Sequence, residues 1–355
     1  MASPARLCDD PLPPRPIVVP AAPDPDRRQD DDAERRAYGR LVVVVVVAYL
    51  GIAAGLYVWR GASFTPDRWL VFLFVGALLL GQWKAFLRDW IPFVLLIFGY
   101  ELLRGVADNI VDASDVRTAA PVRDRYPEVA LEELIAADKA LFGGEVPTLW
   151  LQDKLFVLGQ VHWYDTMAVL LYALHFVFPL LFAFVLWIRW KGRFRRFSLA
   201  FLVMTYAAFA FFLLYPAAPP WLAHRWGLLD GLQYPSNQAI QTVLPERYDN
   251  LDTFKIWDEK SPNPVAAMPS LHAAFPWLVL LFAVKYFGRR GLVVVVYNVA
   301  LWFSVVYLGQ HWVVDILAGM VWATVCFVLV HLPWGRWWAA RRAALAGLDP
   351  ADAAA

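Results

Sequence analysis

Eight continuous apolar runs decide what this chain can fold into. They lie at approximately 41–59, 69–87, 90–107, 166–188, 197–215, 272–287, 291–308 and 312–332. A bilayer core of about 30 Å needs roughly 17–25 residues of helix, and most of these runs meet that length. Lipid offers backbone groups no partners, so only helices and closed barrels cross it. Barrel strands alternate apolar and polar residues, whereas these runs are apolar throughout. The expected fold is an all-α integral membrane protein with about eight transmembrane helices. Composition agrees, with 60% hydrophobic, 16% aromatic and only 18% charged residues.

Charge and cysteine usage narrow the function classes. A formal net charge of +1 gives no clustered basic surface for nucleic acid. Cys8 lies in a polar segment and Cys326 in an apolar run, so neither a disulfide framework nor a metal knuckle is expected. The 18 tryptophans read as membrane-interface anchors.

Orientation follows from the basic residues, which collect in short cytoplasmic loops. Arg27, Arg28, Arg35, Arg36 and Arg40 precede the first run, and Arg189, Lys191, Arg193, Arg195 and Arg196 follow the fourth. Lys285, Arg289 and Arg290 follow the sixth, and Arg336, Arg341 and Arg342 the eighth. Parity puts all of them on one side, so both termini are expected in the cytoplasm. The long loops 108–165 and 216–271 then lie together outside. Residues 1–38, rich in Pro, Asp and Arg, are expected to form a disordered cytoplasmic tail without a cleavable signal peptide. Residues 39–89 would hold two N-terminal transmembrane helices, 90–335 the membrane core, and 336–355 a second cytoplasmic tail. The Ala- and Trp-rich composition points to a bacterial cell membrane.

The outer loops have local structure of their own. From Glu128 to Leu141, Val129, Leu131, Leu134 and Ile135 fall at helical spacing, which predicts an interfacial amphipathic helix ended by a turn over 142–147. The segment Tyr215-Pro-Ala-Ala-Pro-Pro-Trp221 cannot continue a helix and predicts an extended wall above the membrane, either a rigid lip or a substrate contact.

Two segments hold the chemistry, Met268-Pro-Ser-Leu-His272 and Gly309-Gln-His311-Trp-Val-Val-Asp315, and parity puts both outside. A histidine and an aspartate four residues apart share one helical face, so Asp315 can orient His311 and leave its far nitrogen basic. His272 opens the sixth run, where Pro269 suits a first turn and unpaired N–H groups offer an anion site. Breaking a phosphoester needs a nucleophile to take the phosphoryl group and an acid to protonate the leaving alkoxide. His311 fits the first role and His272 the second. No metal or cofactor is called for.

Pro-Ser-Leu-His and Gly-x-His-x-x-x-Asp followed by Gly319 resemble the second and third signatures of the type 2 phosphatidic acid phosphatase superfamily. Leu271 replaces the glycine of the broader pattern, and Val305, after a matching Ser304, replaces its arginine. Both departures resemble the branch that includes inositol phosphorylceramide synthases, as does the Pro-rich segment. The resemblance implies a six-helix phosphatase-like core, phosphoryl transfer through His311, an acid role for His272 and Asp315 as orienter. The first signature is matched by Lys84 and Pro92 but not by Ile91 at the arginine position, and Lys84 and Arg88 fall on the cytoplasmic side.

Further candidates for substrate binding are Arg104, Tyr100, Ser270, Pro219, Pro220, Trp221 and His175. An intramembrane arginine is costly unless paired or wet, so Arg104 is either the phosphate cation or the partner of Asp108 or Glu101. His175 is a candidate by its depth, against a bland role in helix-to-helix hydrogen bonding. His162 and His224 read as solvated or interfacial, and His331 as without function. Three functions remain open: transfer of a phospho-headgroup from a phospholipid to a lipid or glycan hydroxyl, a lipid-phosphate or polyprenyl-phosphate phosphatase, and a non-catalytic lipid transporter or scaffold.

Overall fold

The structure, a computed structural model, describes residues 66–107, 128–243 and 263–333. The predicted tails and the predicted span 41–59 lie outside them. In chain order the helices are α1 (Pro66–Leu79), α2 (Trp83–Ala107), α3 (Glu132–Leu141), α4 (Pro147–Leu155), α5 (Trp163–Leu174) and α6 (Val177–Arg189). They continue as α7 (Lys191–Leu214), α8 (Pro220–Arg225), α9 (Pro235–Val243), α10 (Leu271–Phe287), α11 (Val294–Tyr307) and α12 (Val313–His331). Among the described residues there is no strand. Ala217 makes isolated parallel bridges to Ala130 and Ala266. The chain is an all-α membrane protein: α7 and α12 are each long and apolar enough to cross a bilayer, and α5 with α6 meets the same test as one broken span.

Several sequence expectations are corrected. The run 69–87 is not one helix, because the chain turns at Leu80 to Gln82 between α1 and α2. The run 166–188 is two helices bent by 52°. Pro179 has no N–H for the carbonyl of His175, which removes a ladder bond where α5 ends and α6 begins. The run 291–308 starts as the tight 3-10 turn Gly288–Val293 before α11. The interfacial helix begins at Glu132 and not Glu128, and α4 and α8 were not foreseen. Proline opens both, at Pro147 and Pro220, where its fixed φ suits the first turn and its missing N–H costs nothing.

The two ends of the helix bundle differ in chemistry. At one end the indole of Trp187 donates to Asp89 (2.9 Å) and Lys191 lies 3.4 Å from the same carboxylate. Trp90 and Phe86 stack there at 5.0 Å, and Arg193 sits over Trp190 and Tyr286. Lys84 and Arg88, in the first turns of α2, belong to this end. Thirteen residues separate His272 from Lys285 along α10, about 20 Å at 1.5 Å per residue, so the histidines occupy the opposite end. There the described parts of both long loops form one core with the start of α12, including Val129, Leu131, Leu134, Ala217, Leu222, Leu232 and Trp312.

Candidate active site

The site is built where α10 and α12 begin. Ser270 caps α10: its backbone is extended and its hydroxyl oxygen accepts from the N–H of Ala273 at 3.3 Å. Pro269 therefore precedes the cap, behind a cis bond from Met268, and does not sit in the first turn as expected. Across the gap, the N–H of Ser270 donates to the carbonyl of Asp315 at 3.0 Å. Gly319 makes this approach feasible, since a β-carbon on it would stand 2.3 Å from the carbonyl oxygen of Ser270. The glycine of the third motif thus presses α12 against the cap of the helix that carries the second.

This packing brings the two imidazoles into direct contact. His272 Nδ1 and His311 Nε2 are 2.9 Å apart, and His311 Nδ1 is 3.4 Å from Asp315 Oδ2. With Nδ1–H of His311 turned to Asp315, Nε2 keeps its lone pair and accepts from His272 Nδ1–H. His311 is 5% exposed and Asp315 fully buried. Asp315 Oδ2 also accepts the N–H of Trp312 at 3.1 Å, while Oδ1 is buried without a hydrogen bond. A small rotation of the carboxylate can shorten its long contact with His311, as catalytic hydrogen bonds do when substrate binds. The set offers an oriented lone pair and, 2.9 Å from it, a proton that can be given up.

The other predicted binding residues do not all gather at the site. His175 is in the site: its ring centroid is 4.0 Å from that of His272, and Nδ1–H donates to the carbonyl of Tyr172 at 2.6 Å. Ser270 is there as the cap. Trp221 donates its backbone N–H to the carbonyl of Gly309 at 3.1 Å, and the indole N–H of Trp312 donates to Ala218 at 2.8 Å. Pro219 and Pro220 are buried between these two tethers, so the Pro-rich segment is bolted to the loop bearing His311. Tyr100 lies elsewhere, with its ring against Tyr206 and Phe209 of α7. Arg104 is in the last turn of α2, and its side chain is outside the described residues.

Two contributors escaped the sequence reading. Tyr172 stacks on His272 with centroids 4.7 Å apart, and its hydroxyl donates to Gln310 at 3.4 Å. Asp138 of α3, fully buried, accepts from the N–H groups of Val313 (3.0 Å) and Val314 (2.9 Å), the first two of α12. Burial pushes its carboxyl above the usual range, opposed by those two donors. The signal was present: Leu131, Leu134, Ile135 and Asp138 share one helical face, and an acid on an apolar stripe needs a partner.

Comparison with known proteins agrees with the motifs. The PAP2 superfamily matches residues 132–329, more than half of the chain. A phosphoinositol dihydroceramide synthase of Bacteroides thetaiotaomicron is 31% identical over 169 residues, which cover 45% of this chain and 53% of that protein. The inositol phosphorylceramide synthase catalytic subunit of Schizosaccharomyces pombe is 26% identical over 213 residues, 58% of this chain and 48% of that protein. The corresponding subunit of Saccharomyces cerevisiae is 24% identical over 287 residues, 75% of this chain and 69% of that protein. The chain thus spans about half the length of the first two relatives. No solved structure matches it.

Proposed function

The chain belongs to the PAP2 superfamily, and from that premise we propose that it is a headgroup phosphotransferase. It takes a phospho-alcohol, with phosphoinositol as first choice, from a phospholipid and passes it to a lipid or glycan hydroxyl. The 2.9 Å contact between His272 and His311, backed by Asp315, is the observation that carries the proposal. The relatives, synthases of inositol phosphorylceramide and of phosphoinositol dihydroceramide, support the choice of headgroup and of a ceramide-type acceptor.

The chemistry runs in two displacements. The phosphorus of the donor takes the position His272 holds on the lone pair of His311, and Nε2 attacks it. The P–O bond to the diacylglycerol oxygen breaks as the N–P bond forms, and His272 gives that oxygen its proton. The acceptor hydroxyl then attacks phosphorus, its proton passes to His272, and the N–P bond breaks. Splitting one hard displacement into two is what a covalent nucleophile contributes. We place this site on the extracytoplasmic face, with both termini cytoplasmic and residues 90–335 as the catalytic region. We take the chain to cross the membrane eight times, with a six-helix core.

Purified protein given headgroup-labelled phosphatidylinositol and a ceramide tests the proposal. Label on a new lipid is expected. Release of inorganic phosphate from lipid monophosphates, with no label transferred, would make it a phosphatase using the same residues. Inertness towards both, with full cellular function of His311→Ala, would make it a transporter or scaffold.

A further inference from the structure

Asp138 is buried at 0% exposure, and among the described residues no Lys or Arg pairs with it. Burying a carboxylate is costly, and here the compensation comes from two backbone N–H groups on another helix. A neutral cap such as serine would serve α12 at lower desolvation cost. The placement of the charge gives it a second consequence. The first turn of α12 presents three N–H groups in sequence: Trp312 donates to Asp315, and Val313 and Val314 donate to Asp138. Asp315 Oδ2 serves both Trp312 and His311, while Oδ1 is buried without a hydrogen bond. Without Asp138, the N–H groups of the half-buried Val313 and Val314 would lose their acceptor, and the carboxylate in the same turn is Asp315 itself. A bond drawn from Oδ1 to those groups would turn the carboxylate and move Oδ2 off His311.

We infer that Asp138 is a positioning residue for headgroup transfer: by holding the N–H groups of Val313 and Val314, it leaves the Asp315 carboxylate to His311. It also ties the catalytic helix α12 to α3, a surface helix that leaves Leu141 and, just beyond it, Phe142 exposed. The inference rests on the functional proposal above, and its test separates the two.

Transfer is measured with phosphatidylinositol and fluorescent ceramide in mixed micelles, per folded molecule, for the single variants and the pair with Asp315→Asn. Asp138→Ala is expected to lower kcat roughly 10- to 100-fold, as loss of an orienting partner does, with KM changed less than about 2-fold. In the Asp315→Asn background the further loss should be under about 3-fold, because the contact it protects is already gone. Equal losses in both backgrounds, or wild-type kcat in a folded variant, would overturn the inference. Asp138→Asn keeps the size and one acceptor oxygen, and decides the matter if the alanine variant does not fold. Its expected loss is smaller but equally non-additive. A substrate-free readout uses 15N-labelled histidine: the His311 imidazole signals should move in Asp138→Asn in the same sense as in Asp315→Asn, and unmoved signals would refute the role. If His311→Ala turns over like wild type, the functional proposal fails. If it is dead while the Asp138 variants are unimpaired, only the inference fails.

Discussion

Gly319→Ala should separate the two histidines without unfolding the protein. Its β-carbon would lie 2.3 Å from the carbonyl oxygen of Ser270 and 3.2 Å from the β-carbon of Ala273. Carbon-to-oxygen contacts sit at about 3.3 Å or more, so the cap of α10 must retreat by roughly 1 Å. The neighbour is backbone and cannot swing aside. Ser270 would draw its N–H away from Asp315, and His272, two residues on, would leave the 2.9 Å contact with His311. Overpacking of this kind costs about 1–3 kcal/mol, within the roughly 5–15 kcal/mol stability of a domain. A 1 Å misplacement at a reacting centre costs about 100-fold in rate. Gly291→Ala is the matched control, because its β-carbon would stand 2.3 Å from the carbonyl carbon of Ala283, at the far end of the same helix. Headgroup transfer and a thermal melt are measured for both variants. The expected result is a similar drop in melting temperature for the two and a loss of about 100-fold in kcat for Gly319→Ala alone. Wild-type kcat in folded Gly319→Ala, or an equal loss in Gly291→Ala, would refute the reasoning.

His272→Ala should lose about 100- to 10,000-fold with a lipid donor, the usual share of a general acid. It should recover much of that with a nitrophenyl ester, whose leaving group needs no proton; an equal loss with both substrates would rule out the acid role. Asp315→Asn should lower kcat roughly 10³- to 10⁴-fold with little change in KM, read from initial rates, because an amide presents the wrong group to His311. Burial raises the Asp138 carboxyl above its ordinary value of 3.8, so its favourable contribution is complete below that pH and is lost as pH climbs through the raised native value. The melting temperature of the wild type should therefore fall across that acidic window relative to Asp138→Asn, and parallel curves would contradict it. Transfer should survive EDTA, since the His–Asp–His set alone supplies nucleophile and acid; loss of turnover restored by a divalent ion would show otherwise.

The His272–His311–Asp315 cluster was legible because its residues lie in short motifs at helix starts. His311 itself precedes α12 and the cap Trp312 is extended, so Asp315 reaches back to it from the first turn and not across a shared helical face as the four-residue spacing implied. Gly319, one turn further, brings α12 onto Ser270. What pairs the two motifs is long-range packing, and no local pattern reports it. His175 shows the limit: its depth in an apolar run marked it, but its contact with His272 depends on the bend before Pro179. Asp138 was visible as an acid on an apolar face, yet its partners are backbone N–H groups 175 and 176 positions away. The apolar runs gave most helices. They hid the turn between α1 and α2, because leucines flank Gly81 on the N-terminal side and hydropathy averages over a break.

Trapping the covalent intermediate tests the central claim most directly. Wild-type protein mixed with phosphatidylinositol and no acceptor, quenched in base and digested, is read by mass spectrometry for a phosphoinositol adduct. The adduct is expected on His311, absent from His311→Ala, and discharged when a ceramide is added before the quench. Transfer at full rate with no adduct at His311, or with the adduct on another residue, would contradict it.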